Sequence, residues 1–311
     1  MNININPTKL FQYLCKNGHL EDAQHILEVY PTIDISADNE RIFVRACKNG
    51  HLDVAQWLYR VKPTINISAE KEEAFRYTCY YGRLEVAQWL YQTNPDINIS
   101  VDYEYAFRIA CEKGHLKLAQ WLYQIKPSIN ISIWNEEAFR FACINGHLKV
   151  AQWLYQIKST INISVLNDYA FTRACYCGRL HVAQWLYEIK PTLDISADCE
   201  YAFRLACLNG HLEVAQWIQS LNPNKYIIVI ENNIINYRIV KTLNKSNNIL
   251  YMEQLDNCPI CSETMCNLQT ACNHTFCESC IQTWFNSNQD KTCPYCRTCL
   301  SNTIFQPIAT H

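Results

Sequence analysis

The chain has 311 residues, which is more than one small hydrophobic core needs and predicts either two domains or an extended array with a small module. Hydrophobic residues make up 49% of it and its formal net charge is -2 at pH 7, so it can bury a core and lacks the basic excess of a general nucleic-acid binder. Its longest unbroken apolar runs, such as residues 226–230, are far shorter than the roughly 18 residues of a membrane span, and its N-terminus lacks the apolar core of a secretion signal. We therefore expect an intracellular, cytoplasmic protein with neither a membrane nor a nucleic acid among its partners.

Glycine marks a strict internal repeat. The seven glycines lie 32 residues apart, at Gly18, Gly50, Gly82, Gly114, Gly146, Gly178 and Gly210. A cysteine three residues before each glycine, six tryptophans and six prolines recur with the same period. We infer seven repeats over roughly residues 5 to 222, each of which needs its neighbours to bury its apolar side.

A single repeat predicts two helices and a connector. Residues 135–164 read NEEAFRFACINGHLKVAQWLYQIKSTINIS, in which apolar residues recur at helical spacing on both sides of Gly146. The first helix should have about two turns, and the second should end before the proline that follows it in most copies. Ser132 and Glu136 stand where a helix N-terminus favours a capping oxygen and a negative charge. The array is therefore predicted to be a helical solenoid.

The repeats resemble those of the ankyrin family. The stretch GHLKVAQWL matches that family's Gly-His turn and second helix, and the short helix pair with its connector matches the family's layout. The chain departs from the family pattern in its 32-residue unit, in residues 137–140 (EAFR) where the family has Thr-Pro-Leu-His, and at Arg83 and Arg179, which replace the turn histidine. The AFR-ACxxGHLxVAQWLY pattern is also similar to repeats found in giant DNA viruses, which would place a viral protein in the host cell.

The repeated tryptophans, cysteines and histidines predict packing rather than chemistry. A large aromatic residue at one helical phase in six repeats indicates interior packing. Equivalent helices in stacked repeats lie roughly 8–10 Å apart, beyond the roughly 7 Å limit between the Cα atoms of a disulfide, so the cysteines should be buried thiols. The turn histidines are a whole repeat apart, which favours a hydrogen bond at each turn over a shared metal ion.

Binding by such an array should depend on the positions that differ between copies. These lie between the connector and the first helix, and on or just after the first helix. The predicted substrate-binding residues are exposed aromatic residues at these positions, namely Trp134, Tyr103, Tyr80 and Tyr81. The alternative is simple surface drift among duplicated repeats.

From Cys258 the chain contains cysteine pairs that predict zinc binding. Thiolate and imidazole ligands in CxxC pairs are typical of closed tetrahedral zinc sites, and eight ligands suit two ions. The eight residues are Cys258, Cys261, Cys272, His274, Cys277, Cys280, Cys293 and Cys296. Both ions would be structural, because protein atoms fill every coordination position. Cys266 and Cys299 fall outside this spacing, and Cys266 is an alternative ligand for the third position.

The order of these ligands resembles the RING-finger family, in which ligand pairs alternate between two zinc ions. The resemblance implies one zinc ion held by Cys258, Cys261, Cys277 and Cys280. It implies a second held by Cys272, His274, Cys293 and Cys296. Because such a module is locked by metal rather than by a core, removing zinc should unfold it.

The resemblance also implies an activity. Ile260, Trp284 and Pro294 match the residues through which active RING fingers hold a ubiquitin-conjugating enzyme. Arg297 matches the arginine that orients the charged ubiquitin, which is catalysis by orientation without a covalent intermediate on the ligase. The alternative is that the first three residues only shape the module and that Arg297 is a solvated charge.

We therefore predict a mainly α protein with four segments: an ankyrin-like array at 1–222, a degenerate cap or linker at 223–257, a small α+β RING-type module at 258–297 and a tail at 298–311. Its expected function is that of a RING-type ubiquitin ligase whose repeats bind the substrate protein. The alternative is a non-catalytic interaction scaffold with a structural zinc module. A zinc-dependent nucleic-acid binder is disfavoured, because Lys291 and Arg297 are the only basic residues from 258 to 311.

Overall fold

The structure is a computed structural model that describes residues 6–193, 195, 197–231 and 234–240 and four short strands further on. The short strands are β3 Met252–Glu253, β4 Leu268–Gln269, β5 Thr275–Phe276 and β6 Gln306–Pro307. The chain divides into two compact units, Met1–Ala202 and Phe203–His311.

The described residues contain fourteen helices, which form seven consecutive pairs. The helices are α1 Pro7–Asn17, α2 Leu20–Val29, α3 Ala37–Asn49, α4 Leu52–Val61, α5 Ala69–Tyr80, α6 Leu84–Thr93, α7 Val101–Glu112, α8 Leu116–Ile125, α9 Ile133–Ile144, α10 Leu148–Ile157, α11 Val165–Tyr176, α12 Leu180–Ile189, α13 Ala197–Leu208 and α14 Leu212–Leu221. In the first unit the first helices of neighbouring repeats pack side by side, and each second helix packs on the first helix of its own repeat. The mainly helical, ankyrin-like stacking predicted from the 32-residue period is confirmed. No helix within the described ranges combines the length and apolarity needed to cross a bilayer.

Repeat 3 turns at its glycine for two physical reasons. Gly82 has a φ of +70°, in the left-handed region that residues with a Cβ rarely adopt. A Cβ there would also lie 2.5 Å from Nδ1 of His115, the turn histidine of the next repeat. The His115 Nε2 atom lies 3.0 Å from the backbone carbonyl oxygen of Tyr80. The predicted hydrogen-bonding role of the turn histidine is therefore confirmed here, and the bond joins neighbouring repeats.

Each first helix of repeats 2 to 6 begins with a left-handed turn, which the sequence pattern did not predict. In α9 the residues Trp134, Asn135 and Glu136 have φ angles of 50°, 58° and 60°. Such a conformation costs roughly 1–2 kcal/mol per residue that has a side chain. Arg140 compensates from the following helical turn, where its Nε donates to the carbonyl oxygen of Asn135 (2.7 Å) and its Nη2 to that of Trp134 (3.0 Å).

The predicted capping serine acts differently from the expectation. Ser132 lies at the N-cap of α9 but makes no side-chain bond to the helix backbone. Its hydroxyl instead donates to the Glu136 carboxylate at 2.6 Å, and the ammonium of Lys158, directly after α10, donates to the same hydroxyl. The left-handed turn explains the difference, because it separates Ser132 from the regular part of the helix.

The third residue of each turn is acidic, and in two repeats it bonds the connector that follows the same helix pair. The Glu72 carboxylate is buried and accepts a hydrogen bond from the backbone N–H of Asn98, in the following connector, at 3.3 Å. Glu40 accepts in the same way from Asn66 at 3.2 Å. These bonds hold each connector against the preceding repeat.

The core of the array consists of small and aromatic residues of the first helices and aliphatic residues of the second. Phe107 and Cys111 on α7, like Ala119 and Leu122 on α8, are fully buried. The ring of Phe107 lies 6.1 Å, centroid to centroid, from Trp153 in the next repeat. The predicted packing role of the tryptophans is thus confirmed, although Trp153 is half-buried at the edge of the core.

The second unit contains a sheet after the last helix pair. Strand β1, Tyr226–Glu231, pairs antiparallel with β2, Ile234–Val240, and β3 adds to β2. Tyr226 is fully buried, and its carbonyl oxygen accepts a hydrogen bond from the Gln219 side chain of α14 at 2.9 Å. Three strands therefore lie where the sequence left a cap and a linker as alternatives, and the first of them packs on α14.

Candidate functional sites

The four aromatic residues predicted to bind substrate fall into two groups. Tyr103 and Trp134 belong to left-handed turns, at the start of the first helices α7 and α9. Tyr80 and Tyr81 lie at the other end, where α5 gives way to the glycine turn. The structure thus places them at opposite ends of the first helices, in agreement with the two sets of variable positions in the sequence.

Tyr103 and Trp134, in the left-handed turns, form an aromatic pair that an arginine contacts. The rings of Tyr103 and Trp134 lie 5.4 Å apart, centroid to centroid, and are 66% and 50% exposed. The Arg108 guanidinium lies 4.1 Å from the Trp134 ring centroid and forms an ion pair with Glu137. Its Nε also donates to the carbonyl oxygen of Tyr103 at 2.7 Å. One arginine thus packs on the Trp134 ring and bonds the backbone of Tyr103, which lowers the entropy that a binding partner would have to remove.

The group at the glycine turn combines tyrosines with lysines. The rings of Tyr80 and Tyr81 lie 4.9 Å apart. The Lys113 ammonium lies 4.8 Å from the Tyr80 ring centroid, and the Lys48 ammonium lies 5.3 Å from that of Tyr81 and 5.2 Å from that of Tyr77. These separations allow cation–π attraction.

A groove of about 620 Å³ runs between α3 and α5. It connects the two ends of these helices. Its lining residues are Asp38, Asn39, Arg41, Val44, Arg45, Lys48, Glu70, Lys71, Glu73, Arg76 and Tyr77. Most of them are charged, so the groove suits a polar or charged polypeptide better than an apolar ligand.

The buried cysteines supply no nucleophile. The seven recurring thiols are buried and free, as predicted, and the burial raises the pKa of the Cys15 thiol to about 12 and that of Cys207 to about 12. Since the thiolate is the reactive form, these residues are inert near neutral pH. Within the described part of the chain no group of three or more His, Cys, Asp or Glu side chains is arranged to hold a metal ion.

Sequence reasoning missed the arginines that support the turns. Arg76, Arg108 and Arg140 each donate to a carbonyl oxygen of the left-handed turn of their own repeat. The signal was present in the recurring AFR stretch, which follows the acidic turn residue at a fixed distance in these repeats.

All predicted zinc ligands lie outside the described residues. The same holds for Ile260, Trp284, Pro294 and Arg297. Strands β4 and β5 pair antiparallel, with Leu268 opposite Phe276. In the sequence the predicted ligands Cys272 and His274 stand between these two strands.

Family comparisons identify both parts of the chain. The family described as Ankyrin repeats (many copies) matches residues 75–123, 107–155 and 141–187. The Ring finger domain family matches residues 256–297. The chain therefore contains ankyrin repeats and a C-terminal RING finger domain. A RING finger implies zinc binding and contact with a ubiquitin-conjugating enzyme, and the predicted donor set of seven cysteines and one histidine fits zinc.

The curated relatives are ubiquitin ligases that share a short segment with this chain. E3 ubiquitin-protein ligase RNFT1 of Xenopus tropicalis is 50% identical over 46 residues, which are 14% of this chain and 11% of the relative. The human protein of that name is 46% identical over 50 residues, or 16% of this chain and 11% of the relative. The mouse protein is 48% identical over 48 residues, or 15% and 12%. The chain thus matches only about a tenth of the length of these ligases.

Proposed function

We propose that the protein is a RING-type ubiquitin ligase that binds its substrate protein through the ankyrin repeats. The observation that carries the proposal is the RING finger match at residues 256–297, together with the partial similarity to ligases of the RNFT1 type. The repeats support the second half of the proposal, because ankyrin repeats imply protein interaction.

The proposed zinc centre uses the eight ligands in alternating pairs. One ion would be held by Cys258, Cys261, Cys277 and Cys280. The other would be held by Cys272, His274, Cys293 and Cys296. Zinc in such a site fixes the loops between its ligands and leaves no open coordination position for chemistry on the metal.

The residues proposed to act in transfer are outside the metal shell. Ile260, Trp284 and Pro294 would form the apolar contact with the ubiquitin-conjugating enzyme. Arg297 would bridge that enzyme and its bound ubiquitin and hold the thioester in a reactive orientation. A substrate lysine would then attack the thioester carbonyl and release the thiol of the conjugating enzyme, with no intermediate on the ligase.

The repeats would supply the substrate. Holding substrate and charged conjugating enzyme on one chain raises the effective concentration of one near the other. The proposed division of labour assigns substrate binding to residues 1–222 and transfer to 258–297, with 223–257 as the connection and 298–311 as a tail. Trp134, Tyr103, Tyr80 and Tyr81 remain the candidate substrate contacts.

The test is ubiquitin transfer by the purified zinc-loaded protein with an activating enzyme and a panel of conjugating enzymes. We expect chain formation by the wild type and its loss in Arg297→Ala, with zinc content and far-UV circular dichroism unchanged. Lys291→Ala removes the same charge from the same module and serves as the matched control. It should retain transfer.

The scaffold remains the second candidate, because the relatives match only a short segment of this chain. A scaffold would hold zinc and bind partners, yet show no transfer with any conjugating enzyme. Ile260→Ala would then leave every measured property unchanged. In a ligase the same substitution abolishes transfer while zinc stays bound.

A further inference from the structure

The charges on the first helices change sharply along the array. After its left-handed turn α3 continues as a regular helix from residue 41 to residue 49, and α1 has no such turn. These two helical stretches contain five cations and no acid, namely Lys9, Lys16, Arg41, Arg45 and Lys48. The corresponding stretches of α5, α7 and α9 each carry an acid and an arginine, and that arginine supports the turn of its own repeat.

The five cations form one continuous face. Arg41, Arg45 and Lys48 follow one another at i, i+4 and i+7, which places them on one side of α3. Lys9 and Lys16 have the same spacing on α1, and α1 packs directly against α3. Lys9, Lys16 and Arg41 are exposed, and the other two are half-exposed.

These cations have no acidic partners within the described residues. None of the five takes part in an ion pair there, whereas Arg76 pairs with Asp102 at 3.0 Å and Arg108 pairs with Glu137. Lys48 lies near the rings of Tyr77 and Tyr81, which leaves its charge uncompensated. A surface of unpaired like charges repels itself and gains energy when an anionic partner covers it.

The acids that line the groove lie at its end near the left-handed turns, where Arg41 also stands. Asp38 and Glu70 belong to the left-handed turns, and Glu70 already accepts a hydrogen bond from Asn39 at 2.7 Å. Glu73 stands one position after the turn on α5. The end of the groove near the glycine turns contains Arg45, Lys48 and Tyr77 without an acid.

We infer that repeats 1 and 2 form a docking face for an acidic polypeptide segment, rich in aspartate and glutamate, in the proposed substrate. This inference rests on the proposed substrate-binding role of the repeats. The cations are spread over two helices, so they match a run of carboxylates better than one phosphate group, which needs converging donors. Tyr77 and Tyr81 adjoin the cations, so apolar side chains that follow the acidic run would contact these rings.

The test measures binding of a fluorescent peptide to the full-length zinc-loaded protein by anisotropy. The probe is a synthetic peptide with a run of Glu and Asp followed by Leu and Phe, compared with a peptide in which Gln and Asn replace the acids. We expect the acidic peptide alone to bind, with an affinity that falls as salt is added. The double variant Arg41→Glu/Arg45→Glu should weaken binding by about tenfold or more.

The matched control is Lys117→Glu/Lys149→Glu. These two lysines are exposed on the second helices α8 and α10, and the charge change is the same. The control should bind within about twofold of the wild type. The milder Arg41→Gln/Arg45→Gln variant removes charge without adding repulsion and should give an intermediate loss, which guards against misfolding of the reversed variant.

Three results would overturn the inference: equal loss in both charge-reversed variants, no loss in either, or tighter binding of a single-stranded oligonucleotide of the same net charge. The last result would identify a nucleic-acid face instead. Chain formation without substrate is measured on the same preparations and should be unchanged in Arg41→Glu/Arg45→Glu. Failure of transfer would therefore reject the ligase alone, and failure of peptide binding would reject the docking face alone.

Discussion

At the scale of single residues, the turns link each repeat to its neighbour through a glycine and a ring. Gly82 leaves room for the imidazole of His115, and that imidazole reaches the carbonyl oxygen of Tyr80 in the same turn as Gly82. Gly210, in the last repeat, has a similar φ of +75° but no atom within 4 Å of a Cβ added there. Comparing the same substitution at the two glycines therefore separates the cost of backbone strain from the cost of a close contact.

We predict that Gly82→Ala destabilises the array more than Gly210→Ala does. Alanine in the left-handed region costs roughly 1–2 kcal/mol at either site, and the clash with His115 should add about 1–3 kcal/mol at residue 82 alone. Urea unfolding followed by far-UV circular dichroism measures the difference. His115→Ala in the Gly82→Ala background should recover part of the loss, and additive effects of the two substitutions would contradict the proposed clash.

The half-buried turn histidine of repeat 5 predicts a pH dependence. Burial lowers the pKa of His147, and a hydrogen bond to the Glu112 backbone and the nearby charges of His115, Arg179 and Lys113 modify the shift. Because the folded-state pKa lies below the ordinary value near 6.5, the unfolded chain binds the proton more readily. His147 thus contributes its full stability above about pH 6.5 and loses it as the pH falls through the lowered pKa.

The measurement compares unfolding free energies of wild type and His147→Gln from about pH 7 to about pH 5. Glutamine is neutral throughout and can still donate at the turn. The wild type should lose stability more steeply towards acid than the variant does. Parallel profiles would show that His147 does not titrate differently in the folded and unfolded chains.

At the scale of elements, the left-handed turn at the start of each first helix sets the shape of one edge of the array. It presents two variable residues outward, such as Trp134 and Asn135, and buries the acidic third residue, Glu136. Residues with side chains disfavour this left-handed conformation, and the arginine that follows the turn stabilises it. Arg140 is 9% exposed and bonds two carbonyl oxygens of its turn.

We predict that Arg140→Ala destabilises the array by about 2–3 kcal/mol, because two carbonyl groups lose a charged donor. Thermal and urea unfolding measure the change. Arg140→Lys should restore little, since an ammonium group lacks the planar fork that reaches both oxygens. Wild-type stability in Arg140→Ala would mean that the turn is held by other contacts.

The elements that the sequence predicted well were those fixed by local chemistry. The regular 32-residue spacing of the glycines predicted the turns at Gly82 and Gly146. The spacing of apolar residues predicted both helices of each repeat. The left-handed turns were missed, because a run of non-glycine residues such as 134–136 has no local preference for positive φ. They depend on the arginine of the AFR stretch, which sequence reasoning overlooked. They also depend on the following connector, where the bond from Asn98 to Glu72 spans 26 residues and so lies outside any short window of sequence.

The candidate sites were likewise predicted in part from the sequence. The spacing of cysteines identified a zinc module that the family comparison matches as a RING finger. The sequence also placed Tyr103 and Tyr80 in two separate sets of variable positions, and they do lie at opposite ends of their helices. It did not predict the contacts of either set. Those contacts depend on the tertiary arrangement, and so does the absence of ion pairs to Arg41 and Arg45 among the residues that the structure describes.

At the scale of the whole molecule, the repeats and the RING finger obtain stability from different sources. The repeats bury phenylalanine, cysteine and leucine side chains, whereas a RING finger depends on zinc. All predicted ligands lie between residues 258 and 296, beyond the last repeat. Loss of metal should therefore act on one part of the chain only.

We predict that a zinc chelator abolishes ubiquitin transfer while the helical circular dichroism signal of the repeats persists. Colorimetric zinc release should reach two ions per chain if both proposed sites are filled. Adding zinc back should restore transfer. Collapse of the helical signal together with zinc loss would mean that the repeats also depend on the metal.

The similar junctions between repeats have a consequence for how such a chain can change. His115 bonds back to the preceding turn, and Glu72 bonds forward to the following connector. A gene rearrangement that duplicates or excises one whole 32-residue unit in frame therefore rejoins faces that already match. The outward residues of the left-handed turns take no part in these junctions. Recombination between copies can therefore change the combination of residues on the recognition surface while the junctions are kept.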